Sequence, residues 1–309
     1  MINHRIVSLI ASATEIVCAL GYESSLVGRS HECDYPRTIE HIPVCSSSKI
    51  LTDSSSAEID DQVRTIVKDG LSVYNVDSRL LDEISPSVII TQTQCDVCAV
   101  SLSDVEKAVC ELVSSAPAIV SLEPMSLSDI WRDIQSVADA LGDSDSGGEL
   151  VSNLQSRLES LRIKTQKISH WPTIACIEWT EPLMIAANWV PELVDYAGGV
   201  SLLSKSGKHS AYLSLDELAA SEPEVIAIMP CGFDIDRSLR EMQSLTFSSQ
   251  WNNLPAVQNG RVYVTDGNQY FNRPGPRVVE SAEILSECLH PGCFDFGHRG
   301  TGWIPWHPD

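Results

Sequence analysis

The sequence predicts an α/β protein of two Rossmann-like lobes joined by a long backbone helix, with a ligand cleft between the lobes. Three observations predict it. Apolar β-runs alternate with amphipathic helical segments through most of the chain, the pattern of doubly wound sheets. A helix, a proline break and a buried strand occur in that order twice. Leu81-Asp82-Glu83-Ile84-Ser85-Pro86 leads into Val88-Ile89-Ile90, and Leu215-Asp216-Glu217-Leu218 leads through Pro223 into Val225-Ile226-Ala227-Ile228. Between the copies, Leu150, Leu154, Leu158, Leu161 and Ile168 mark one face of a helix over 149–168, about 30 Å long at the standard rise. These features divide the chain into an N-terminal lobe (1–126), a helical connector (127–168), a C-terminal lobe (169–290) and an irregular tail (291–309).

Bulk properties narrow the function. The 309 residues, 43% of them hydrophobic, suffice for about two domains with their own cores. A formal net charge of -21 repels phosphate backbones and anionic lipid, which argues against nucleic-acid and membrane-surface partners. It also disfavours strongly anionic ligands unless a local basic pocket receives them. Met1 to Arg5 lead straight into the β-run Ile6 to Ile10, and no apolar run approaches membrane-spanning length. The expectation is a cytoplasmic protein, periplasmic only if a leader was trimmed away. In a reducing compartment the ten cysteines are expected as thiols or ligands and not as disulfides.

In chain order, Ser12-Ala13-Thr14-Glu15 reads as a capping box opening a helix that ends at Gly21. Leu26 to Ser30 is a second β-run, and 37–57 is a surface loop rich in Ser and Pro. A helix over 58–69, a strand over 71–76 and a helix over 77–85 precede the strand Val88 to Gln92. Ser103 to Glu106 is a second capping box, and Ala118 to Leu122 closes the first half. A helix over 127–141 follows, and the small and acidic residues 142–148 interrupt it before the long helix. The second half has a strand over 173–180, a helix over 190–196, a third capping box at Ser214 to Glu217, strands over 225–229 and 261–265, and a helix over 276–289.

Ligands of open α/β sheets bind beyond the carboxyl ends of the strands, and the chain places its polar chemistry there. The first half offers His31, Glu32, Cys33, Asp34, Tyr35, Gln92 and Gln94. The second offers Trp179, Glu181, Asn188, Trp189, Phe233, Asn268, Tyr270, Phe271 and Arg273. Aromatic faces interleaved with amides suit a large, flat, mostly uncharged ligand. Cys33, Cys95, Cys98 and Cys231 also follow strands, so a zinc or iron–sulfur site is an alternative. A third reading, a thiol-dependent redox enzyme, rests on Cys95-Asp96-Val97-Cys98 between strand and helix. Against it, Asp96 would raise the pKa of a neighbouring thiol. The sequence contains no phosphate-binding glycine loop, nucleophile elbow or H-E-x-x-H. Cys18 and Cys110 read as core filler on helices.

Four stretches carry a resemblance to a known family. They are Ile6-Val7-Ser8-Leu9 with Ser12-Ala13-Thr14-Glu15; His31-Glu32-Cys33-Asp34-Tyr35-Pro36; Gln94-Cys95-Asp96-Val97-Cys98-Ala99-Val100-Ser101; and Tyr270-Phe271-Asn272-Arg273-Pro274-Gly275-Pro276. Over about residues 5–290 the chain resembles the cobalamin-binding homologues among the substrate-binding proteins of iron-siderophore and cobalamin ABC importers. The resemblance implies a non-enzymatic protein with two lobes on a backbone helix, little closure, and cobalamin or a related corrinoid as ligand. It implies an ABC importer as partner if the protein is exported. Aromatic residues would pack on the macrocycle, His31 would approach the cobalt, and Cys33 is the weaker candidate for that place. Oligomeric state is left open.

Overall fold

Short apolar runs become parallel strands here because both faces of each sheet are covered, so no alternation of polar residues is needed. The computed structural model describes residues 4–68, 73–93, 102–110 and 116–307. Two compact units emerge. One comprises Met1–Ser54, Glu58–Pro124 and Ser128–Asn153; the other comprises Ser55–Ala57, Met125–Leu127 and Leu154–Asp309.

In the first unit, β1 (Ile6–Ser8), β2 (Leu26–Arg29), β5 (Val88–Gln92) and β6 (Ala118–Leu122) form a parallel sheet in the order β2-β1-β5-β6. A two-stranded antiparallel pair, β3 (Ser46–Ser48) with β4 (Tyr74–Val76), lies in the stretch between β2 and β5. The chain leaves β1 toward β2 on one side and returns to β5 on the other, so the end of β1 is a topological switch point. Val7, Leu9, Leu81, Ile84, Ile89 and Val105 pack as the core on one face. Residues 71 and 72 of the expected strand over 71–76 lie outside the described residues, and the strand itself is Tyr74–Val76.

Two capping boxes are corrected. Ser12 and Glu15 lie inside helix Ala11–Ala19, whose N-cap is Ile10 with no side-chain cap. Ser103 likewise lies within helix Leu102–Cys110. Such a box needs its first residue in extended backbone; the chain turns helical directly after β1, so the hydroxyls of Ser12 and Thr14 fall within the helix. The third box is present: Glu217 N donates to Ser214 Oγ at 3.2 Å, and Ser214 N donates to Glu217 Oε2 at 2.9 Å.

The long helix runs Ser144–Thr165, beginning five residues before its expected start at 149. The segment 142–148 does not keep it from starting there. Gly147 is where this helix meets helix Leu127–Ala140: a Cβ there would lie 2.5 Å from the Ala138 Cβ. The glycine that reads as a helix breaker is thus a site of close approach. Leu154, Leu158 and Leu161 are buried, as their spacing predicts.

In the second unit, β7 (Thr173–Thr180), β11 (Val225–Ile228) and β12 (Val262–Thr265) are parallel neighbours. Beside β7 lie β8 (Leu183–Ile185), antiparallel to it, and β9 (Val200–Ser201), parallel to it. The short β10 (Ala211–Tyr212) pairs with β8. The tail is not irregular: β13 (Trp303–Trp306) pairs antiparallel with β12 at the sheet edge. Pro305 lacks a donor, which an edge strand tolerates. Four short helices over 235–258 cover the core around Trp251, Met242 and Leu245. Each has seven residues or fewer, too few to show a helical period in sequence. Among the described residues no helix is long and apolar enough to cross a membrane.

The Trp306 ring belongs to this core and meets the Trp251 ring edge-on at 6.4 Å. Trp306→Ala is expected to destabilise the protein by about 3 kcal/mol, read from urea unfolding. A tail making no contribution to the sheet would instead change stability by less than about 0.5 kcal/mol.

Candidate functional site

At the carboxyl ends of β1 and β2, hydroxyls, a thiol and an imidazole form one hydrogen-bonded cluster. Arg29, the last residue of β2, anchors the loop that follows. Its guanidinium donates to the carbonyls of Ile42 (3.1 Å), Ser30 (3.3 Å), Cys33 (2.9 Å) and Glu40 (3.0 Å). Five fixed donors facing four backbone acceptors hold the loop in one shape. Tyr35-Pro36 in that loop is a cis peptide.

Within the loop, His31 is half-buried, and burial lowers its pKa below the usual 6.5, so the imidazole is neutral at pH 7. Its Nδ1 lies 2.9 Å from Ser46 Oγ, which itself donates to Ser30 Oγ at 3.1 Å. Ser30 Oγ lies 3.4 Å from the same Nδ1, so two hydroxyls hold this side of the ring. Nε2, on the other side, has no hydrogen-bond partner among the described residues. The ring packs 5.5 Å from Tyr74, whose hydroxyl donates to Glu32 Oε1 at 3.3 Å. Cys33, expected at the ligand surface, is fully buried instead, with Thr14 Oγ1 3.0 Å from its Sγ. Asp34 and Tyr35 are exposed, and Gln92 is buried at the end of β5. Gln94, Cys95 and Cys98 lie outside the described residues.

The second sheet gathers rings and amides beyond its own strand ends. Trp179 and Phe233 pack 5.0 Å apart, and the Arg237 guanidinium sits 3.8 Å over the Phe233 ring. The loop after β12 is pressed against the end of β11: a Cβ at Gly267 would lie 2.1 Å from the Pro230 carbonyl oxygen, so only glycine fits. Asn272 Nδ2 donates to the Met229 and Gly267 carbonyls, and Arg273 donates to Asn268 Oδ1 at 3.0 Å. Tyr270 lies under the Arg277 guanidinium at 5.3 Å, while Phe271 is almost fully buried at φ 52°. Glu181 is exposed. Asn188 is half-buried at φ 51°, and Trp189 is buried. Asn188 Oδ1 and Trp189 Nε1 are enclosed with no hydrogen-bond partner among the described residues.

Several participants escaped sequence reasoning. Ser30 and Ser46 are small hydroxyl residues with no pattern to mark them, and Ser8 and Thr14 stand in the stretches that carry the family resemblance without a site role read for them. Glu178 could have been found, since it is a lone carboxylate in the apolar run of β7. Burial pushes its pKa up to about 7, against the hydrogen bond it accepts from Ser210 Oγ at 2.7 Å. Among the described residues no three His, Cys, Asp or Glu side chains gather as a metal site. Cys231 is half-buried at the end of β11.

Known proteins share this plan. The model of the family described as periplasmic binding protein matches residues 6–269. A vitamin B12-binding protein of Vibrio parahaemolyticus is 21% identical over 292 residues, 93% of this chain and 88% of its own. An uncharacterized ABC transporter substrate-binding lipoprotein of Bacillus subtilis is 20% identical, covering 94% and 81%. Among solved structures, the apo periplasmic heme-binding protein of Roseiflexus superposes with TM-score 0.67 at 21% identity, covering 94% and 99%. The periplasmic vitamin B12 binding protein of Vibrio cholerae does so with TM-score 0.66 at 19% identity, covering 93% and 96%.

Glu178 has a measurable consequence. Its folded pKa of about 7 exceeds the ordinary 4.5, so the folded state holds the extra proton between those values. Stability is then greatest below pH 4.5 as far as this group is concerned, and falls as pH rises toward 7. Burial raises the Asp133 pKa to about 7 as well, so Glu178→Gln should lessen that decline, read from urea unfolding across this range, and carboxyl carbon NMR should lose one of two groups titrating near pH 7 in the variant.

Proposed function

Because the chain belongs to the periplasmic binding protein family, we propose that its substrate is cobalamin, a related corrinoid or another metal-bearing tetrapyrrole, received by His31. At the level of the family, the protein is a non-enzymatic substrate-binding protein of the kind that serves ABC importers. The finer reading rests on one observation. The His31 pKa is lowered by burial, its Nδ1 is engaged by Ser46, and its Nε2 has no hydrogen-bond partner among the described residues. A neutral histidine held by a hydrogen bond at one ring nitrogen is the usual state of a metal ligand through the other.

Two further features support the reading. The relatives include proteins named for vitamin B12 and for heme, both flat macrocycles around a metal. Within the second unit, the rings and amides of Trp179, Phe233, Tyr270 and Asn268 are of the kind that suits a flat macrocycle, area from the rings and orientation from the amides.

Titration with hydroxocobalamin, and separately with hemin, should give saturable binding with a shifted visible spectrum for one of them. His31→Ala should abolish the shift. Ser46→Ala, which removes the hydroxyl that meets both Nδ1 and the backbone N–H of His31, should weaken binding about tenfold. Flat calorimetry and unshifted spectra with both ligands would overturn the proposal. A shift retained in His31→Ala would move the metal contact to another residue.

A further inference from the structure

The second unit carries a cavity of about 400 Å³ lined by Lys164, Lys167, Cys293, Phe294, Asp295 and Phe296. We propose that it binds a small planar anion, an aromatic carboxylate or sulfonate being the simplest member of the class.

Charge is the first argument. The chain has 42 acidic residues against 21 basic ones, yet this cavity has two lysines and one aspartate. Neither lysine has a carboxylate within ion-pair distance among the described residues, and Asp295 Oδ1 already accepts the backbone N–H of Gly297 at 3.1 Å. One lysine near a helix end is ordinary, since a cation there offsets the helix dipole. Lys164 fits that description, but Lys167 lies beyond the helix, which ends at Thr165.

Shape is the second argument. Phe294 and Phe296 lie with planes only 15° apart and centroids 6.0 Å apart, and the Lys164 ammonium sits 5.4 Å from the Phe296 ring centre. Aromatic faces beside uncompensated ammonium groups select a ligand that is both flat and negative. The volume is within the range of small-molecule pockets.

Cys293, exposed on the wall, supplies the readout. Its alkylation by iodoacetamide would be followed by peptide mass spectrometry in the presence of naphthalene-2-sulfonate, with neutral 2-naphthalenemethanol as control. The expected result is saturable, several-fold slowing by the sulfonate alone, weakened by salt. The slowing should be lost in the double variant Lys164→Glu, Lys167→Glu, whose exposed positions leave the fold intact by circular dichroism. An unchanged rate, equal slowing by the neutral analogue, or full slowing in the double variant would overturn the proposal. His31→Ala should leave the slowing intact, so the result is independent of the tetrapyrrole reading.

Discussion

Parallel strands buried on both faces constrain everything else in this protein. Val88 to Gln92 and Val225 to Ile228 have no exposed residue, so their sheets cannot hold polar chemistry along their length. Such groups are pushed to the carboxyl ends, where the chain leaves the sheet and backbone and side chains can reach solvent or one another. The exception is instructive. Glu178 remains inside β7, and desolvation raises its pKa to about 7, which is the ordinary response of a carboxylate that cannot escape burial.

The cluster beyond β1 and β2 depends on how its donors are divided. Arg29 spends its guanidinium on four carbonyls and so fixes the loop without an acidic partner. With the loop held, the serine hydroxyls order themselves from Thr14 and Ser8 at one end to Ser46 and Ser30 at the other. The Ser46 and Ser30 hydroxyls meet the histidine ring on its Nδ1 side. The same order accounts for the burial of Cys33, whose carbonyl is held by Arg29 and whose sulfur is met by Thr14.

The second sheet reaches a comparable end by packing more than by hydrogen bonding. Gly267 admits the backbone of the β12 loop against Pro230, and amide side chains then lock it. Arg237 covers the face of buried Phe233 and Arg277 that of half-buried Tyr270, so the guanidiniums close off aromatic surface from solvent.

The sequence by itself determined the fold class and the elements with local signals. The strands over 88–92, 118–122 and 173–180, the helix Val190–Tyr196 and the capping box at Ser214 all follow from apolar runs or from contacts within a few residues. It also brought His31 and the aromatic loops forward, because unusual residue types after a strand can be seen without a structure. Tertiary structure alone decided the rest. The burial of Cys33 depends on Thr14, the orientation of the His31 ring on Ser46, the use of Gly147 on Ala138, and the strand at Trp303 on β12. Each of these is a contact between residues at least nine apart in the chain, and periodicity reports which face a residue shares with its neighbours, not which distant segment will meet it.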